Sequence, residues 1–439
     1  MLVAVVAFAV AIGVFSATRG GSPAGGGAGA IGAGLRPDGS TTDAAIRTLQ
    51  AEVRAGKPRE AALADAYLQK ARETGDLGYS LRAETLLHKA LERNPRDAGA
   101  VVDLGTLAAS RHDFRTALRL ARQARTLAPG TLTAYPLLVD ALVELGRFGA
   151  AERTLQHFAD LRPSLPAYAR ISYMRELHGD LSGAADAMER AISAGAAAPE
   201  NVAAVQVLHG DIEFFLGRRG AAARDYATAL AGVPGHIPAL AAKARLAAAR
   251  GELPEAIATM QDVVARLPLP EHVVALGELQ LAAHRAAAAR RTFALVGAER
   301  RLLANAKVDT DAEIAVFEAD HGSPRRAVAL ARRAWASAPG LRAADAMGWA
   351  LTRDGRPREG LLWAHRALRL GSLDPLFRFH AGIAARGTAE GRHDLRLALA
   401  HGLAGRPWQA AQARRALARV AAQARRALAH GTRSAEAGR

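Results

Sequence analysis

The stretch Ala98–Gly130, AGAVVDLGTLAASRHDFRTALRLARQARTLAPG, decides the fold. Two helix-period runs flank the turn Arg111-His112-Asp113. In the second run Ala117, Ala121 and Ala124 share one face, and Pro129 closes the unit. Their relative offsets are 0, 4, 7 and 12. The same ruler fits Ala83, Leu87, Ala90 and Pro95 before it, and Ala151, Leu155, Phe158 and Pro163 after it. Both steps are 34 residues. A fixed period of that size marks a solenoid of supersecondary units, each too small to bury its apolar face alone.

Later units keep the ladder in the second helix: Ala184/Met188/Ala191, Ala222/Tyr226/Ala229, Ala256/Met260/Val263, Ala289/Phe293/Val296, Ala327/Ala331/Ala334 and Gly360/Ala364/Ala367. Steps between the last ladder residues are 34, 34, 33, 38, 34, 33, 38 and 33. The two long steps place extra residues in the connections Ser193–Pro199 and Gly297–Thr310, where loops are expected. Beyond the ninth copy the pattern fades into a tail with Phe377, Phe379, Ile383, Leu395, Leu397 and Leu399.

These residues resemble the tetratricopeptide repeat. The unit quoted above carries Leu104-Gly105, Asp113, the alanine ladder and Pro129 at that family's positions. The resemblance covers roughly 62–406. It implies an all-α, right-handed superhelical solenoid of about nine to ten helical hairpins, binding peptides or proteins in a concave groove lined by the first helix of each hairpin. In the family register one groove-facing row falls on Arg72, Thr106, Asp140, Tyr173, Asp211, Arg245, Glu278, Val316 and Trp349. That row lacks the Lys/Asn-rich clamp of chaperone-binding members. Its acidic members Asp140, Asp211 and Glu278 suggest a groove for basic or mixed peptides, with Trp349 as an aromatic anchor.

Composition limits the other classes. Half the residues are apolar but only 5% are aromatic, so Ala, Leu and Val carry the apolar share. There is no cysteine, which excludes disulfides, Cys-based zinc sites and a Cys nucleophile. Net charge is +16, and only five of the 58 basic residues are Lys. The arginines are spread along the array as solvated faces, so a nucleic-acid or anionic-surface binder is the lesser alternative. No H-E-x-x-H, G-x-x-x-x-G-K-[ST] or G-x-S-x-G motif occurs. The histidines show no metal-ligand spacing. The sequence therefore predicts no enzyme, cofactor, metal or small-molecule substrate, and an unnamed protein or peptide partner.

The two ends read separately. Met1–Ala17, MLVAVVAFAVAIGVFSA, has no charged side chain and precedes a Gly-rich linker over 18–41. It is expected to be an export signal or a short single-pass membrane anchor, leaving the array extracytoplasmic or secreted. Gly27–Gly32 matches G-x-G-x-x-G, but no βαβ unit surrounds it. A capping helix is expected over 42–61. Pro407 opens a last amphipathic helix over 407–430, followed by a tail over 431–439. Leu417, Val420, Ala424 and Leu428 form its apolar stripe. Arg414, Arg415, Arg419, Arg425 and Arg426 form the opposite face, either a solubilising cap or a basic docking face.

Overall fold

The computed structural model describes residues 41–195 and 199–419. Met1–Ala17, the linker up to residue 40, Arg425, Arg426 and the tail lie outside the described residues. Among these, the chain is all-α. A first helix, Thr41–Arg54, leads into ten antiparallel hairpins. The first five pair Glu60–Thr74 with Leu77–Arg93, Ala98–Ser110 with Phe114–Leu127, Ala134–Glu144 with Phe148–Leu161, Leu165–Leu177 with Leu181–Ala194, and Pro199–Phe215 with Arg219–Gly232. The next five pair Ile237–Arg250 with Leu253–Arg266, Pro270–Ala282 with Ala286–Phe293, Asp311–His321 with Pro324–Ser337, Leu341–Arg353 with Pro357–Ala367, and Pro375–Ala384 with Ala389–Ala400. In each pair we call the first helix A and the second B. A short turn, Leu403–Gly405, and a helix over 407–419 finish the described chain.

Local chemistry explains the boundaries. Asp76, Asp97, Asp113 and Asp180 N-cap their helices, each carboxylate accepting from a backbone N–H at 2.8–3.1 Å. The repeated Asp of the A–B turn is thus a cap on helix B. The ladder residues face inward. Ala83, Leu87, Ala117, Ala121, Ala124, Ala151, Ala184, Met188 and Ala191 are all 0% exposed. Small residues on helix A receive the larger ladder side chains. A Cβ on Gly210 would lie 2.6 Å from the Tyr226 ring, and one on Gly277 2.1 Å from Phe293.

Two expectations change. The tail is a tenth full hairpin, whose ladder is Gly391/Leu395/Ala398, all buried. Glycine hid the ladder's first rung. A Cβ there would meet the Ala385 carbonyl oxygen at 2.3 Å. The second long connection is also not a plain loop. Helix B of the seventh hairpin stops at Phe293, and a further helix, Val296–Asn305, turns away with Val296 and Leu303 buried. The first long step is met partly by a longer helix A, Pro199–Phe215.

The solenoid closes on itself. The A–B turn of each early hairpin packs against the loop that lies between the fifth and sixth hairpins further on. Gly75 meets Leu267. The Arg111 carbonyl accepts from Asp309 N–H at 3.0 Å, and His112 Nδ1 donates to the Asp309 carbonyl at 2.6 Å. Arg115 donates to the carbonyls of Ala336 and Ser337 at 2.9 and 3.0 Å. Gly146 abuts Pro339, Gly179 abuts Gly371, and His401 donates to the Phe215 carbonyl at 3.0 Å. This seam runs through every A–B turn of the first five hairpins. The array is a tight coil whose second turn rests on the first.

Candidate functional site

The closed coil turns the expected groove into an interior wall. Thr106, Asp140, Tyr173, Asp211, Glu278 and Trp349 are buried, and the Arg245 side chain is only 10% exposed. The acidic members are not open to solvent. Asp140 accepts from Arg170 Nε at 2.8 Å and from Nη2 at 2.6 Å. Asp211 accepts from Arg245, itself a member of the row, and from the Tyr226 hydroxyl at 2.7 Å. Glu278 faces His321 Nε2 at 3.2 Å. Trp349 stacks on His380 at 4.2 Å, and both Asp345 carboxylate oxygens lie 2.9 Å from His380 Nδ1.

These contacts form one regular device. Helix A of each odd-numbered hairpin from the third onward supplies an acid: Asp140, Asp211, Glu278, Asp345. Helix A of the following hairpin supplies the base: Arg170, Arg245, His321, His380. Each rung joins two A helices across the inner wall. A buried acid or base is tolerated when its partner is fixed beside it, and removing one partner leaves an uncompensated charge. The row read as a ligand surface is thus largely the coil's internal bracing. Burial drives the Tyr173 phenol well above its ordinary range.

The open space lies nearer the first hairpins. A cavity of about 300 Å³ is walled by hairpins one, two, five, six and seven and by the segment around Leu303–Glu313. Its lining is mainly apolar, including Leu68, Leu107, Val207, Leu208, Leu269 and Leu303. Arg72 and Thr106, both from the expected row, also line it. Three further polar groups converge there. Glu200 lies 2.9 Å from His236 Nε2, while His236 Nδ1 is buried without a hydrogen-bond partner. Arg72 Nε is in the same condition. Burial pulls the Arg72 guanidinium down, and Asp65 and Asp103 oppose it. Burial pushes Glu271 up to about 8, helped by Glu313, so it holds its proton at neutral pH.

Glu200, His236 and Glu271 were not picked out from the sequence. They sit at the N-terminal ends of successive A helices, 36 and 35 residues apart. That near-repeat period is a signal, but only at positions outside the row the family register highlights. Val316 lines a smaller cavity with Glu278 and Gln409. At the C-terminus Arg414, Arg415 and Arg419 are exposed, while Ala410, Ala413 and Ala416 are buried.

No family model and no curated protein matches the chain. Solved structures do. Human IFIT1 as a dimer with PPP-AAAA gives a TM-score of 0.47 at 16% identity, over 75% of this chain and 78% of that one. A tetratricopeptide repeat protein from Parabacteroides merdae gives 0.39 at 16%, over 56% and 97%. Pseudomonas aeruginosa PilF gives 0.33 at 16%, over 52% and 92%. The chain's own register is the firmer ground. Its hairpins stack at a step of about 34 residues, and each helix B buries a small-residue ladder at offsets 0, 4 and 7. By that register this chain is a tetratricopeptide-type repeat array.

Proposed function

We propose that this array is a non-catalytic interaction scaffold that takes the end of a mixed-charge peptide or partner protein into its axial cavity. The observation that carries the reading is the contrast on the inner wall. Most charged groups there are closed into rungs, whereas Arg72 Nε and His236 Nδ1 point to no hydrogen-bond partner beside the neutral Glu271 carboxyl. An apolar cavity with a few convergent polar groups is the usual form of a ligand site, and about 300 Å³ is the small end of that range. It suits one or two side chains and a chain terminus rather than a long segment laid along the axis. A carboxylate would answer Arg72, and a backbone carbonyl would accept from Glu271.

The N-terminal reading belongs to the same proposal. The apolar segment 1–17 and the linker 18–41 would hang the scaffold from a membrane or send it across one. The sequence alone supports this part. No described helix is long and apolar enough to cross a membrane.

A peptide-library binding screen on the purified chain tests the scaffold reading. Selected peptides should lose binding when Arg72→Ala and His236→Ala are combined. They should keep it when Arg414, Arg415 and Arg419 are all changed to Ala. The opposite pattern, with steep salt dependence, would favour a basic surface for anionic partners.

A further inference from the structure

One rung of the inner wall differs from the others. The Asp140, Asp211 and Asp345 carboxylates each meet a base directly. The rung between the seventh and eighth hairpins has two carboxylates and one imidazole. Glu278, Asp320 and His321 each offer a ligand atom, and these atoms lie within 4.8 Å of one another. Their side chains are 8%, 4% and 7% exposed. We propose that Glu278, Asp320 and His321 form a binding site for a divalent first-row transition ion, with zinc as the representative.

Two independent observations point to a missing ligand. Asp320 Oδ1 is buried without a hydrogen-bond partner. Its only nearby cation is Arg353, whose Nε stands 3.7 Å away. On the other side of Glu278 lies a cavity of about 30 Å³, lined also by Gln409, whose Oε1 is likewise buried without a partner. A water needs roughly 10–15 Å³ of such space, so one or two can complete the coordination shell. Arg406 lines that cavity too, and its charge opposes a cation there.

The donor chemistry fits. One imidazole and two carboxylates supply three protein ligands and leave room for water, the pattern of an open zinc site. A tetrahedral ion with bonds of about 2.1 Å holds its donors about 3.4 Å apart. His321 Nε2 and Glu278 Oε1 already stand at 3.2 Å. Asp320 has to swing by about 1 Å at most, within the reach of a side-chain torsion. The imidazole is held between Phe293, at 4.3 Å between ring centroids, and Trp408, at 4.7 Å. Such packing fixes a ligand's orientation as second-shell partners do. A dication also answers the excess negative charge that burial otherwise penalises in Asp320.

The test uses the full chain, stripped with a chelator, then loaded with zinc and freed of excess by gel filtration. We expect about one zinc per chain in the wild type. Asp320→Asn and Glu278→Gln should each bind at least about tenfold more weakly, while His88→Ala, an exposed control, should leave binding unchanged. Circular dichroism shows whether each variant is folded. X-ray absorption on zinc-loaded wild type gives a reading that needs no variant: one nitrogen and two or three oxygens around the ion. Absence of retained zinc, equal zinc in wild type and folded Asp320→Asn, or a shell of two or more imidazoles would each overturn the site.

Discussion

Gly340 separates the seam from every other source of stability. Its φ is −88°, so alanine fits the backbone without strain. The difficulty is across the seam. A Cβ on Gly340 would lie 2.5 Å from the Glu144 carbonyl oxygen and 3.3 Å from its carbon. Both are backbone atoms and cannot rotate aside. Restoring ordinary contact moves the two coil turns apart by about 1 Å, and overpacking of this kind costs about 1–3 kcal/mol. The same movement strains the 3.0 Å bond from Arg342 to the Glu144 carboxylate. Gly130→Ala is the control. Nothing lies within 4 Å of its new Cβ, so it should be neutral or slightly stabilising. Hydrogen exchange by mass spectrometry is the assay. In Gly340→Ala, peptides covering 141–147 and 338–344 should lose protection together, with opening rates raised about 5- to 150-fold. The two segments are almost 200 residues apart in sequence and meet only across the seam. If exchange at 141–147 stays at its wild-type rate, or if Gly340→Ala behaves like Gly130→Ala, the seam is wrong.

Three other expectations follow from the inner wall and the ladder. Asp140→Asn or Arg170→Met alone should each cost about 3–5 kcal/mol in chemical denaturation, because each strands a buried polar partner, whereas the double variant should cost clearly less than the sum. Ala124 is 0% exposed and Arg125 is exposed. Ala124→Arg should therefore lower the unfolding midpoint strongly. Arg125→Ala should cost no more than about 1 kcal/mol, the worth of its guanidinium over the Tyr135 ring. Equal small effects would refute the register. Glu271 gives a pH signature. Its folded pKa of about 8 stands above the unfolded value of about 4.3, so its stabilising contribution is full below about pH 4 and is lost as pH rises towards 8. Glu271→Gln should match wild type near pH 4 and exceed it by about 2 kcal/mol near pH 8, after allowing for solvent in the cavity. A constant difference across that range would contradict the buried protonated carboxyl.

Much of the fold was legible because it rests on spacing. Ala117, Ala121 and Ala124 had to be small to let helices approach, and the structure buries them completely. Gly391 escaped notice because a ladder search looks for Ala or larger, yet glycine alone fits 2.3 Å from a carbonyl. The helix Val296–Asn305 looked like a loop because it lies outside the period. The candidate row was correctly placed on the inward side of helix A, but its environment was not legible. Asp140 reads as a free carboxylate until Arg170, 30 residues on, is seen to cover it. How tightly the coil winds decides that pairing, and the winding depends on contacts between turns that a nearest-neighbour pattern does not encode. The same holds for the cavity. Arg72, Glu200, His236 and Glu271 come from four different hairpins and meet only because the coil closes.

The central claim is that closure, and a distance across the seam tests it most directly. The natural chain has no cysteine, so Arg119→Cys with Ala336→Cys carries nitroxide labels at two exposed positions only. Arg115, one helical turn from Arg119, reaches the Ala336 carbonyl. Pulsed electron–electron spectroscopy should therefore give a narrow distribution centred below about 25 Å, set by the label arms and one helical turn. An open superhelix, with six hairpins of helices packed about 10 Å apart intervening, would place the labels on the order of 40 Å or more apart, and that distance would contradict the closed coil.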